Sequence, residues 1–120
     1  MNVHNFLGNG FQEVVYQRSL MVEFQENRIP FLREPSVTIL YKGFDVGTRR
    51  VDFLIDDSII LEIKAIVKLD DTHLAQGLNY LEAYNFDKGL LINFGSQRLE
   101  IKRLIHPRIR QKYKKGDFDN

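Results

Sequence analysis

The sequence has no cysteine and only three histidines, His4, His73 and His106. The absence of cysteine excludes disulfides, a thiol nucleophile and zinc or iron–sulfur sites with thiolate ligands. The histidines are scattered along the chain and lack the spacing of a zinc site. Any metal ion would therefore have to be bound by oxygen ligands.

Long apolar runs are also missing. No uninterrupted hydrophobic segment is long enough to cross a bilayer, and the N-terminus has no basic region followed by an apolar one. We therefore expect a cytoplasmic protein with no membrane partner. The 120 residues, 43% of them hydrophobic and 28% charged, suffice for one core and leave no room for a second. We predict one domain over residues 1–106, followed by a basic, flexible tail over residues 107–120.

The net charge of +1 hides an uneven distribution of charge. Residues 1–101 contain ten Lys or Arg and fourteen Asp or Glu, whereas residues 102–120 contain seven basic and two acidic residues. Basic tails commonly bind nucleic acid, but a polar end that merely keeps the chain soluble is the alternative. The sequence does not decide between them.

Periodicity predicts two helices and several strands. Residues from Phe11 to about Asn27 lack Gly and Pro and repeat apolar positions at helical spacing, and a second helix should run from an N-cap at 70–72 to about Tyr84. Five segments are predicted as strands: Val37–Tyr41, Gly47–Ile55, Ile59–Ala65, Gly89–Phe94 and, at an edge, Arg98–Leu104. Pro30 and Pro35 bracket a connection. The order α-β-β-β-α-β predicts an α/β or α+β sandwich around a mixed central sheet.

The segment from Arg50 to Lys64 is predicted to be a β-hairpin with one apolar face. A three-residue loop at 56–58 pairs the apolar residues Ile55 with Ile59, Phe53 with Leu61, and Val51 with Ile63. The same register sets Asp52 opposite Glu62 and Arg50 opposite Lys64. Like charges at such short range repel each other, so folding alone gains nothing from this arrangement.

A hard divalent cation would relieve the repulsion between Asp52 and Glu62. Mg²⁺ typically takes one or two carboxylates together with water and substrate phosphate, and Mn²⁺ also prefers oxygen ligands. Lys64, on the same strand face, could orient or deprotonate a water or steady a phosphate. The alternative is a hairpin whose polar face meets solvent and forms diagonal ion pairs.

The order of the elements and several separate motifs resemble the PD-(D/E)XK nuclease superfamily, and within it the GxxExxY family. Gly10, Glu13 and Tyr16 match the three letters of that name. The resemblance covers about residues 6–105 and continues through further motifs: Tyr41-Lys-Gly, Val46-Gly, Asp52, Glu62-Ile-Lys64, Gln76-Gly-Leu-Asn-Tyr80 and Gly89-Leu-Leu-Ile-Asn-Phe-Gly95. One departure is Val51, which stands where the superfamily name has Pro.

The resemblance implies a role for each matching residue. Asp52 and Glu62 would bind the metal together with the backbone carbonyl of Ile63, and Lys64 would be the catalytic lysine. Glu13 would reach the same site from the first helix.

From the second helix, Gln76 and Tyr80 would support the site or contact the DNA backbone; on a helix they are i,i+4 neighbours. Arg50, on the charged face of the hairpin, is a further candidate for such a contact.

Several of these residues have a purely structural alternative. Glu13 could favour the positive end of its helix, and Tyr16 could be a core residue with a satisfied hydroxyl. Gln76 and Tyr80 could bridge their helix to strand backbone, and His73 is more simply a surface or capping residue. Asn93 is either a satisfied buried amide or a strand-end residue that lines the cleft.

Together the sequence predicts a Mg²⁺- or Mn²⁺-dependent nuclease that hydrolyses DNA phosphodiester bonds. The competing class is a catalytically silent nuclease-fold module that binds nucleic acid or a protein partner, because a fold does not guarantee chemistry. RNA as the substrate and assembly into a homodimer both remain open at this point.

Overall fold

A five-stranded mixed sheet with helices on both faces forms the centre of the molecule. The computed structural model describes residues 2–106. Its three helices are α1 (Asn2–Leu7), α2 (Glu13–Glu26) and α3 (Asp71–Tyr84). Its seven strands are β1 (Phe31–Arg33), β2 (Ser36–Tyr41), β3 (Phe44–Arg50), β4 (Phe53–Ile55), β5 (Ile59–Lys64), β6 (Lys88–Asn93) and β7 (Glu100–Ile105). The central sheet has the order β1-β4-β5-β6-β7, and only β5 and β6 pair in parallel. The predicted fold class is confirmed.

Two apolar clusters pack on opposite faces of this sheet, because successive residues of a strand point to opposite sides. On one face, Tyr16 and Leu20 of α2 pack with Leu61 and Ile63 of β5. On the other face, Ile60 of β5 belongs to the cluster that contains Leu81 and Leu104 and that α3 covers. The central strand β5 is therefore buried on both faces, and only its two end residues, Ile59 and Lys64, are partly exposed to solvent.

The β4–β5 hairpin has the predicted register only near its turn. Phe53 pairs with Leu61 and Ile55 with Ile59. The predicted pairs beyond Phe53 do not form, because β4 begins at that residue: Asp52 is not the strand partner of Glu62, nor Val51 of Ile63, nor Arg50 of Lys64. Val51 instead joins the cluster beneath α3.

The predicted single strand Gly47–Ile55 is divided at Val51 and Asp52. Its first part forms β3, which pairs with β2 in a separate two-stranded sheet, and Arg50 there lies opposite Ser36. The turn of this β2–β3 hairpin consists of Lys42 and Gly43, both with positive φ, as in a two-residue type I′ loop. Residues 48–55 contain no Gly or Pro, so nothing in the sequence marked the point at which the chain changes sheets.

Two short elements were not predicted. Helix α1 has only six residues, and the edge strand β1 lies between Pro30 and Pro35, where the prolines indicated a loop. Strand β1 pairs with β4 and completes the sheet. Such short elements owe their stability to tertiary packing rather than to propensity, so local pattern alone does not reveal them.

The other boundaries agree with prediction to within a few residues. Asp70 caps α3, and its side chain accepts a hydrogen bond from the His73 amide while Nδ1 of His73 accepts one from the Asp70 amide. The capping alternative for His73 is thus confirmed. No helix within residues 2–106 is long and apolar enough to cross a bilayer. The predicted tail, residues 107–120, lies outside the described part of the chain.

Candidate functional site

Asp52 and Glu62 meet just before β4 begins, where β5 has no β4 partner. Oε1 of Glu62 accepts a hydrogen bond of 2.9 Å from the Asp52 amide, and Oδ2 of Asp52 accepts one of 2.7 Å from the Ile63 amide. The amide and carbonyl of one strand residue point to the same side. The Ile63 carbonyl therefore faces the same gap as the two carboxylates, with no β4 residue opposite it.

Burial and like charge together perturb both carboxyl groups. Glu62 is only 6% exposed. Its pKa is raised to about 8, first by desolvation and then by the negative charge of Asp52. The pKa of Asp52 is also raised, chiefly by desolvation, although its bond from the Ile63 amide acts in the opposite direction. A protein gains no stability from holding two carboxylates in this way, which makes the pair a candidate functional site.

Lys64 provides positive charge beside the pair. It lies two residues after Glu62 on β5, so the two side chains leave the strand on the same face. Its charge lowers the pKa of Asp52, Glu62 and Glu13 against the stronger effect of desolvation. The strand end that carries Lys64 is held in place, because the Phe94 amide donates to the Lys64 carbonyl at 2.8 Å.

Glu13 approaches the pair from the first residue of α2. The residue as a whole is exposed, but partial desolvation of its carboxyl raises its pKa, and the charge of Asp52 adds to that effect. Tyr16 fixes this end of the helix: its ring stacks on Phe94 with centroids 4.6 Å apart, and its hydroxyl donates to the Gly8 carbonyl at 2.6 Å. The structural alternative for Tyr16 is thereby confirmed.

The sequence did not point to Gln17 and Arg33, which complete the surroundings of Asp52. Nε2 of Gln17 donates to Oδ1 of Asp52 at 3.1 Å, while its Oε1 accepts from Nε and Nη2 of Arg33 at 3.1 and 2.9 Å. A hollow of about 210 Å³ beside them is lined by Glu13, Val14, Gln17, Arg33, Glu34 and Asp52. The one available signal was that Gln17 follows Glu13 by four residues and so shares its helix face.

Gln76 and Tyr80 line a second, larger cleft of about 650 Å³ between α3 and the β2–β3 hairpin. The pKa of the Tyr80 hydroxyl is raised by desolvation and, to a smaller extent, by the charge of Glu62. Arg49 lines this cleft, whereas the neighbouring Arg50 is exposed at the base of the hairpin and does not face Lys64.

The oxygen donors fit a hard divalent cation. Within residues 2–106, no group of three or more His, Asp or Glu side chains is placed to hold a metal ion by itself. The protein offers two carboxylates, from Asp52 and Glu62, and a backbone carbonyl from Ile63. Mg²⁺ is commonly bound in this way, by few carboxylates with water and phosphate as the other ligands.

Comparison with known proteins identifies the fold and the family. The crystal structure of SSO0001 matches with a TM-score of 0.59 and 20% sequence identity, over 82% of this chain and 55% of that one. The chain thus spans little more than half of that structure, and at this identity the match concerns the fold alone. Among curated proteins, none matches the sequence. The family model of the PD-(D/E)XK nuclease superfamily matches residues 1–104, a range that contains both acidic residues and Lys64, and the chain therefore belongs to that superfamily.

Proposed function

We propose that this protein is a divalent-metal-dependent nuclease that hydrolyses DNA phosphodiester bonds. The observation that carries the proposal is the buried Asp52–Glu62 pair, which desolvation and mutual repulsion make costly to keep without a cation. Members of the superfamily usually use divalent metals. Gly10, which precedes α2, and Glu13 and Tyr16 in its first turn support assignment to the GxxExxY family within it.

Asp52, Glu62 and the Ile63 carbonyl would hold Mg²⁺ or Mn²⁺. When bound, the ion polarises a phosphoryl oxygen and lowers the pKa of a water ligand. Lys64 would position the attacking water or stabilise the charge that develops on the phosphate. In the hydrolysis, the water oxygen bonds to phosphorus and gives up a proton, the bond from phosphorus to the leaving deoxyribose oxygen breaks, and that oxygen receives a proton. Glu13, whose charge interacts with those of Asp52, Glu62 and Lys64, would act in one of these proton transfers.

Other residues would act on the position of the pair rather than on the reaction. Gln17 orients Asp52, and Arg33 in turn holds the amide of Gln17, so that both oxygens of Asp52 have a defined direction. Gln76 and Tyr80 would contact the DNA backbone in the cleft beside the hairpin.

Calorimetric titration with Mn²⁺ tests the metal site. Asp52→Ala and Glu62→Ala should each abolish binding of the ion and cleavage of plasmid or linear DNA, while a melting curve shows that the fold is kept. A matched control, Asp57→Ala, removes an exposed carboxylate from the turn of the same hairpin and should leave binding unchanged. Wild-type affinity in both site variants would refute the assignment.

Lys64→Ala separates an enzyme from a binding module. The variant should lose turnover but still bind Mn²⁺ and DNA, because the lysine acts mainly on the transition state. Lys68→Ala, an exposed lysine four residues later, is the control. If wild type and Lys64→Ala show the same trace activity after careful purification, the protein is a silent nucleic-acid-binding or regulatory module instead.

A further inference from the structure

The tip of the β2–β3 hairpin exposes apolar and aromatic side chains that neither core cluster uses. Tyr41 and Phe44 face each other across the turn and are 62% and 74% exposed. Leu40 and Val46, beside them, are also exposed. A two-stranded hairpin alone is marginally stable in water, and an exposed apolar patch usually marks an interaction site. Folding does not account for these side chains.

The hairpin starts from the candidate active site. Its second strand runs directly into Asp52, and its first strand follows Glu34, whose amide donates to the Asp52 carbonyl at 2.9 Å. The hydroxyl of Tyr84 on α3 fixes this base: it donates to the Pro35 carbonyl and accepts from the Val51 amide at 3.2 Å. With strands of six and seven residues, the tip lies on the order of 20 Å from the base.

The charge of the hairpin is positive although the rest of residues 1–101 is acidic. Lys42, Arg49 and Arg50 are opposed by the single carboxylate of Asp45. That carboxylate accepts a hydrogen bond from the Gly47 amide at the bulge where the strand register shifts, so it is held against the backbone. Lys42 lies 5.4 Å above the ring of Tyr41 and adds a cation to the aromatic surface.

We propose that the hairpin tip binds unpaired bases of a DNA strand whose backbone leads along the cleft to Asp52. Aromatic side chains beside a positive groove are the usual means of binding single-stranded nucleic acid, because every base has a face that can stack. Bases inside a duplex are already stacked and offer no such face. This inference rests on the proposed nuclease function and names its substrate: single-stranded DNA, or DNA with an unpaired end.

Fluorescence anisotropy with a labelled 12-nucleotide oligothymidylate, in EDTA, tests the proposal. Tyr41→Ala and Phe44→Ala should each weaken binding about five-fold or more, since one stacking contact accounts for that much. Phe44→Trp should restore it. Binding to a blunt 12-base-pair duplex should be weaker than to the single strand and insensitive to all three changes.

Two controls lie outside the tip. Phe6→Ala removes an exposed aromatic ring from α1, and Thr48→Ala truncates an exposed side chain of the hairpin itself, away from its turn. Both should bind the oligonucleotide like wild type. Unchanged affinity in the Tyr41 and Phe44 variants, or equal losses for duplex and single strand, would overturn the proposal.

The result is separable from the test of the proposed function. Because EDTA prevents cleavage, tip-dependent binding by a protein that never cleaves DNA with Mn²⁺ would refute only the nuclease activity. Cleavage that is unaffected by the tip variants, together with unaffected binding, would refute only the role of the hairpin.

Discussion

Glu62 combines a charged side chain with a buried position. Desolvation is the largest influence on its carboxyl, and the negative charge of Asp52 acts in the same direction, so that the pKa rises to about 8. The Asp52 amide and the charge of Lys64 compensate only in part. At neutral pH and without a metal ion, the folded protein therefore favours a protonated Glu62.

A pH dependence of stability follows from this shift. Between about pH 4.5 and pH 8 the folded state holds a proton on Glu62 that the unfolded state has released. In EDTA the free energy of unfolding should consequently fall as pH rises through this window, by up to about 1.4 kcal/mol per pH unit, and level off above it. The raised pKa of Asp52 acts in the same direction. Urea denaturation at several pH values measures the slope.

The neutral variant Glu62→Gln isolates the effect. The amide oxygen of Gln still accepts the hydrogen bond from the Asp52 amide, but the buried charge is gone. The free energy of unfolding should therefore depend less steeply on pH, and at pH 8 the variant should be more stable than wild type by at least about 1 kcal/mol. Glu26→Gln removes an exposed carboxylate at the end of α2 as the control. If the free energy of unfolding of Glu62→Gln changes with pH as steeply as that of wild type, the Glu62 carboxyl is better solvated than its burial indicates.

At the scale of elements, the end of β6 depends on Asn93. This amide is fully buried, and the sequence left open whether it is satisfied. The side-chain amide is in fact fully hydrogen-bonded. Its Oδ1 accepts from the amides of Ile66 and Gly95, each at 3.0 Å. Its Nδ2 donates to the Ile66 carbonyl at 2.9 Å and to Oε1 of Glu100 at 2.8 Å. The side chain thus connects β6, β7 and the segment between β5 and α3, next to the strand end that carries Lys64.

Asn93→Ala should destabilise the protein by about 2 kcal/mol or more, because it leaves buried backbone groups without partners. Asn93→Asp should also be destabilising, since it replaces the donor to Glu100 by a second carboxylate. Gln25→Ala, an exposed amide on α2, should have little effect. Chemical denaturation measures all three variants, and a loss below about 0.5 kcal/mol in Asn93→Ala would contradict this account.

At the scale of the whole molecule, charge is distributed unevenly. Two of the seven basic residues after position 101, Lys102 and Arg103, lie exposed on β7, and the other five belong to residues 107–120. An acidic body repels a phosphate backbone, so basic residues outside it should contribute most to the electrostatic part of DNA binding.

Deletion of residues 107–120 should weaken DNA binding and flatten its salt dependence. Each phosphate neutralised on duplex DNA contributes about 0.9 to the slope of log affinity against log salt, so engagement of three or four phosphates corresponds to a slope of about 3. Affinity measured from low to moderate salt, with a melting curve for each protein, tests this. A lower melting temperature with an unchanged slope would instead assign the segment a structural role and contradict a domain that ends near residue 106.

The sequence by itself determined the fold class, both long helices, the register of the β4–β5 turn and the superfamily. These features depend on local periodicity, capping residues and short motifs, which a single chain displays directly. The shared face of Glu62 and Lys64 was also readable, since side chains two residues apart on a strand point the same way.

Only the tertiary structure decided how Asp52 meets Glu62. The expected cross-strand pair is replaced by bonds from backbone to side chain, because the chain leaves one sheet at Val51 and enters another at Phe53. Gln17 and Arg33 join the site from a distant helix and from a strand of three residues. Their approach depends on how α2 packs on the sheet, and packing between segments far apart in sequence leaves no periodic trace in either of them.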